Sequence, residues 1–85
     1  MKHVQMMILA SCPHCRKAFA LIDELKQANP AYRQVEIEVI DEEQEPQRAA
    51  GFDYWYVPTF YVDGQKIHEG VPSREAIENV LKAAL

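Results

Sequence analysis

Cys12 and Cys15 stand two residues apart in Ser11-Cys12-Pro13-His14-Cys15-Arg16-Lys17, and the chain has no other cysteine. Three chemistries use that spacing: half of a metal site, a disulfide staple and a reactive dithiol. The staple is the poorest of the three. A bridge between Cys12 and Cys15 closes too short a loop to withdraw much entropy from the unfolded chain, and one pair of cysteines is not the framework of a small secreted protein. A zinc site needs two further ligands, from His14 or from a second chain. A dithiol needs asymmetry instead: one accessible thiol of lowered pKa, and a second that is less accessible.

The elements around the motif decide what it can do. Val4 to Leu9 is a short apolar run that reads as a buried strand ending just before the motif. Pro13 to Ala28 reads as a helix: Ala18, Leu21, Ile22, Leu25 and Ala28 recur at spacings of three and four, with Arg16, Lys17, Asp23, Glu24 and Lys26 mainly elsewhere. Ser11 or Cys12 falls near its N-cap, Pro13 suits its first turn and shapes the helix start, and Asn29-Pro30 stops it. The motif therefore occupies a strand-to-helix junction. The unpaired N–H groups of a first turn favour negative charge and lower the pKa of Cys12. Cys15, one turn further in, is expected to be less accessible. Arg16 and Lys17 either add positive charge near the thiolate or are simply the exposed face of the helix.

Gln34 to Ile40 alternates, with Val35, Ile37 and Val39 on one side and Glu36 and Glu38 on the other, which predicts a half-buried strand. Glu42 to Gly51 predicts a short helix with Asp41 as N-cap and Gly51 as C-terminal cap. Pro58 to Val62 is a third strand, Asp63-Gly64 a hairpin turn, and Gln65 to His68 a fourth strand. Gly70 and Pro72 break the chain, and Ser73 caps a last helix with Ala76, Ile77, Val80, Leu81 and Ala84 on its apolar face. The order β-α-β-α-β-β-α predicts an α/β fold. Its first two strands are parallel through a right-handed crossover and its last two form an antiparallel hairpin, giving a mixed four-stranded sheet flanked by helices. At 85 residues the chain is one domain, 1–85, with room for one modest core.

A net charge of −4 argues against nucleic acid and against an anionic membrane surface as partners. No apolar run has the length of a membrane span. Lys2 and the apolar run after it invite comparison with a signal peptide, but cleavage near Ala10 would delete the first strand. The expectation is a cytoplasmic monomer. His3 and His68 read as surface residues, and Glu36, Glu38 and Asp41 to Glu45 as a solvated acidic face. Tyr54, Trp55 and Tyr56 cannot all face one side. Either one or two of them pack under the second helix, or Tyr56 or Trp55 lines a groove beside the cysteines; Tyr56, as neighbour of Val57-Pro58, is the better candidate.

Element order and motif together resemble the thioredoxin superfamily, and in length the glutaredoxins. The run Val57-Pro58-Thr59-Phe60-Tyr61-Val62-Asp63-Gly64 is a second point of resemblance, with Pro58 opening the third strand. The resemblance implies a cis Val57–Pro58 bond lying against the cysteines. It also implies thiol–disulfide exchange on disulfide-containing proteins. Cys12 would be the attacking thiolate and Cys15 the resolving thiol, and Pro58 and the Val57 backbone would hold a substrate strand. The two thiols carry the electrons, so no bound cofactor is expected. His14 is either a solvent-facing residue or a partner of the Cys12 thiolate that makes the couple more oxidising.

The departures are informative. Ser11 stands where thioredoxins carry tryptophan, and Met6 where they place a buried acid. His14 replaces the tyrosine of the glutaredoxin motif, and Cys-Pro-His-Cys resembles the periplasmic disulfide oxidases, which carry an inserted helical domain. Tyr56 replaces the glutaredoxin threonine before Val-Pro, and His68 to Glu75, with Pro58-Thr59, resembles thioredoxin. The electron donor is accordingly glutathione or a flavin-dependent thioredoxin reductase. A metal-binding or metal-delivery module is the alternative. Copper chaperones put Cys-x-x-Cys between a first strand and a first helix, but with methionine where this chain has Ala10, and their fold ends in a strand.

Overall fold

A computed structural model describes all residues, Met1–Leu85. The strands are Val4–Ile8 (β1), Ile37–Asp41 (β2), Thr59–Val62 (β3) and Gln65–Glu69 (β4). The helices are Pro13–Ala28 (α1), the single turn Pro46–Ala49 (α2) and Arg74–Ala84 (α3), and a 3₁₀ turn, Pro30–Gln34, follows α1. The sheet order is β2-β1-β3-β4. β1 pairs in parallel with β2, Val4 opposite Ile37 and Ile8 opposite Asp41. It pairs antiparallel with β3, Val4 opposite Val62 and Met7 opposite Thr59. Asp63 and Gly64 turn the β3–β4 hairpin with φ of 47° and 80°, the two left-handed residues that Asp-Gly supplies to a tight hairpin.

The period of two along β1 divides the interior into two unequal halves. Val4, Met6 and Ile8 join Ile22 and Leu25 of α1, Phe60 of β3 and Ile77 and Leu81 of α3 in a cluster of 15 buried residues. Met7 faces the other way, into a cluster of four with Ile40, Ala49 and Tyr61. There the rings of Phe52 and Tyr61 lie 5.1 Å apart, tilted by 59°. Ser73 caps α3 as expected, its Oγ accepting the Ala76 N–H at 3.1 Å. The Val57–Pro58 bond is cis. No helix is long and apolar enough to cross a membrane.

The second strand begins later than its alternation predicts. Asn29 accepts the Ala31 N–H at 3.1 Å and starts the 3₁₀ turn, and Lys26 holds the Val35 carbonyl at 2.7 Å. Gln34 is therefore in the turn, and Val35 is buried ahead of the strand. Val39 does share a face with Met6, but at the sheet edge it stays 38% exposed, whereas Ile40 on the opposite face is fully buried. Nor is Asp41 a helix cap. It ends β2, and its Oδ1 accepts the Glu43 N–H at 2.8 Å in a local turn. The short helix waits for Pro46, whose ring fixes φ and needs no hydrogen-bond acceptor at the first helical position. It ends at Ala49, and its C-cap is Ala50, one residue before Gly51.

Candidate active site

Cys12 is the N-cap of α1, in extended backbone geometry (φ −79°, ψ 124°) and with no side-chain capping bond of its own. Its carbonyl accepts the N–H groups of Cys15 (3.1 Å) and Arg16 (3.3 Å), and its own N–H donates to Leu9 (2.9 Å), so the loop from β1 closes directly onto the helix. The half-buried thiol thus lies among the unpaired donors of the first turn. The Cys15 backbone N–H is the main influence holding its pKa below the usual thiol value. The His14 N–H, the Cys15 thiol and the Arg16 charge act in the same direction, against partial burial.

Cys15 is one turn in and 1% exposed. Burial pushes its thiol up to about 11. The Cys12 charge, the hydrogen bond between the two sulfurs and the Glu42 carboxylate add to the rise, and a backbone hydrogen bond from Leu9 opposes it. Both thiols are free. The same helix turn therefore makes one thiol more acidic and the other less.

Pro13 occupies the first helical position and is exposed. His14 is exposed as well, and the structure gives its imidazole no hydrogen bond to Cys12: what His14 contributes to the thiolate is its backbone N–H. Its ring instead lines a groove of about 290 Å³ with Tyr56, Val57, Gly70 and Val71. Val57 packs against both core clusters, and Pro58 is buried, its carbonyl accepting the Gly70 N–H at 2.9 Å. Of the three aromatics, Tyr54 packs on the α2 side and donates to Glu42 at 3.1 Å. Tyr56 is in the groove. Trp55 lines a separate cleft of about 350 Å³ with Glu42, Phe52 and Tyr54.

Several residues of this region escape a reading of the sequence. Met6 is core, as its type requires, and the acid that acts on Cys15 is Glu42. Parallel pairing is the signal that would have found it, because the residue after Asp41, the partner of Ile8, comes level with the approach to the motif; its N–H bonds the Ile8 carbonyl at 2.9 Å. His68 is not an idle surface residue. Its Nε2 lies 3.3 and 3.1 Å from the Gly70 and Val71 carbonyls, behind the groove wall. Glu38 is likewise more than solvated surface, binding His3 at 2.9 Å and Arg48 at 2.5 Å. No three His, Cys, Asp or Glu side chains converge, so a tetrahedral zinc site would need ligands from outside the chain. The fold also ends in α3 rather than in a strand.

The thioredoxin domain family matches residues 2–82. Over 74 residues the chain is 34% identical to the thioredoxin of Methanocaldococcus jannaschii, an alignment that covers 87% of this chain and 85% of that protein. The solution structure of the oxidised thioredoxin from Plasmodium falciparum has a TM-score of 0.71, covering 96% of this chain and 79% of that one. At 14% identity this is a likeness of fold. A protein disulfide oxidoreductase from Aeropyrum pernix K1 gives 0.65 at 28% identity, over 98% of this chain and 37% of its own longer one. With a dithiol at the start of α1, a cis proline opening β3 and a family match over nearly its whole length, the chain belongs to the thioredoxin domain family.

Proposed function

We propose that the protein reduces or exchanges disulfides of protein substrates through Cys12 as nucleophile and Cys15 as resolving thiol. The observation that carries this is the opposed behaviour of the two thiols within one helical turn: Cys12 acidified at the helix start, Cys15 buried with a pKa of about 11. The Cys12 thiolate attacks one sulfur of a substrate disulfide. The substrate S–S bond breaks, its other sulfur leaves as a thiolate, and a mixed disulfide remains. Cys15 then gives up its proton and attacks the Cys12 sulfur, releasing the second substrate thiolate. Two electrons have passed to the substrate, and the chain holds a Cys12–Cys15 disulfide. Pro13 sets the helix start. Pro58 and the Val57 backbone hold an extended substrate segment beside Cys12, and Tyr56 and His14 flank it in the groove.

A dithiol cycle of this kind belongs in a reducing compartment, and the cytoplasm, with the chain acting as a monomer, is the setting we propose. Glutathione or a flavin-dependent thioredoxin reductase returns the disulfide to the dithiol. A redox titration in glutathione buffers, with rapid alkylation to trap the thiols, tests the proposal. A reversible two-electron transition between roughly −270 and −200 mV supports it, and a midpoint toward about −120 mV makes the protein an oxidant instead. Failure to form the intramolecular disulfide overturns it. Turnover with NADPH and either glutathione plus its reductase or thioredoxin reductase alone then identifies the donor.

A further inference from the structure

The loop 53–56 is fastened at four backbone atoms by side chains of the β3–β4 hairpin. Tyr61 donates its hydroxyl to the Asp53 carbonyl at 2.5 Å, and Thr59 donates its own to the Tyr56 carbonyl at 2.5 Å. Between them stands Glu69, which the exchange chemistry does not use. Its Oε2 accepts the backbone N–H of Trp55 and, at 2.9 Å, that of Tyr56. Its Oε1 takes the Lys66 ammonium at 2.8 Å. The next residue, Gly70, reaches back to the Pro58 carbonyl from a φ of +98°, where glycine is favoured. Two consecutive residues at the end of one strand thus hold both the aromatic loop and the cis proline.

What they hold is unusual for its exposure. Trp55 is 87% exposed, Tyr56 70% and Val71 64%. Tyr56 and Val71 line the groove that leads from His14, and Trp55 borders the neighbouring cleft. The Tyr56 backbone is tied at both N–H and carbonyl, and that of Trp55 at its N–H. Bonds from backbone N–H groups to a carboxylate are among the stronger hydrogen bonds. A surface ordered in advance also avoids much of the ordering entropy lost on binding.

We propose that Glu69 is a positioning residue that fixes the Trp55–Tyr56 backbone as a rigid apolar lip, against which an extended protein substrate docks the apolar side chain next to its disulfide cysteine. This rests on the exchange function proposed above. Small disulfides do not reach the lip and do not depend on it.

The test compares hydroxyethyl disulfide with a synthetic peptide disulfide carrying leucine on each side of its cysteines. For Glu69→Ala the peptide KM is expected to rise about tenfold, the equivalent of about one strong hydrogen bond. The peptide kcat and the hydroxyethyl disulfide rate should stay within about twofold of wild type, and the pH midpoint of Cys12 alkylation should not move. Glu69→Gln keeps a carbonyl acceptor for the two N–H groups and should recover most of the loss. Lys66→Met removes only the ion pair and should leave the peptide KM unchanged. Replacing the peptide leucines by serine should raise the wild-type KM and abolish the difference between wild type and Glu69→Ala. An equal loss on both substrates, a displaced Cys12 midpoint or an unchanged peptide KM overturns the assignment of Glu69. If Glu69→Ala does not fold, Glu69→Asp, whose carboxylate is one methylene too short for the Trp55 and Tyr56 N–H groups, decides it: a raised peptide KM supports the assignment and an unchanged one overturns it. A wild-type chain that reduces neither substrate overturns the exchange function itself.

Discussion

Alkylation of the reduced protein by iodoacetamide across pH gives the most direct measure of the asymmetry between the two thiols. Cys15, with a pKa of about 11, is present as thiolate in about one molecule in 10⁴ at about pH 7. Cys12 titrates below 9.0, so its thiolate fraction exceeds about one in 10², at least a hundredfold more. A more basic thiolate is the better nucleophile, and with a Brønsted coefficient of about 0.5 this reduces the advantage to about tenfold. The 1% exposure of Cys15 can only enlarge it. Peptide mass mapping should therefore find Cys12 modified at least about ten times faster than Cys15 at about pH 7, and Cys15 accelerating about tenfold per pH unit until it approaches 11. Cys12→Ala sharpens the test. It removes the Cys12 charge and the sulfur–sulfur hydrogen bond, two of the four influences that raise the Cys15 pKa, but leaves burial, the largest. The Cys15 midpoint should fall and still lie above its ordinary value of 9.0. Equal alkylation rates, or a Cys15 midpoint at 9.0 in both proteins, would refute the reasoning.

Glu42→Gln removes the smallest of the influences raising the Cys15 pKa, so the alkylation midpoint should move down from about 11 by less than in Cys12→Ala. Glu69, held by Lys66 and by two backbone N–H groups, titrates at about 2 rather than 4.5. A depressed carboxylate stabilises the fold above its unfolded value, so its contribution is complete above about 4.5 and disappears as pH falls toward 2. Urea midpoints measured across that window should fall more steeply for wild type than for Glu69→Gln. Phe60, fully buried between β1 and the helices, should cost about 3–5 kcal/mol when replaced by alanine, a large share of the stability of a domain this size. Chemical denaturation of Phe60→Ala checks that value.

Local patterns in the chain indicate most of this fold. Three- and four-residue spacing defines α1, Ser73 announces α3, and Asp63-Gly64 places the hairpin. Each of these signals acts within a few residues of its effect. The misreadings occur where a neighbour distant in sequence decides the outcome. Val39 is exposed because β2 lies at the sheet edge, which no local pattern reveals. Asp41 resembles a helix cap, yet its pairing opposite Ile8 keeps it in the strand. The same division applies to the site. The cysteines, Pro58 and Tyr56 are legible as motif and neighbour. Glu42, Glu69, Gly70 and Val71 become visible only once parallel pairing and the hairpin have brought them to the end of the sheet beside the motif.

The central place of β1 also has a consequence for synthesis. β1 is synthesised before either of its partners, and one of them, β3, follows only after α1, β2 and α2, with Val4 opposite Val62. The sheet cannot close until the hairpin emerges. Until then the nascent polypeptide carries two thiols without Phe60 or α3 to complete the interior around Cys15. Both are ordinary cysteines, equally open to oxidation, and their division of labour begins only when β3 and α3 have been translated.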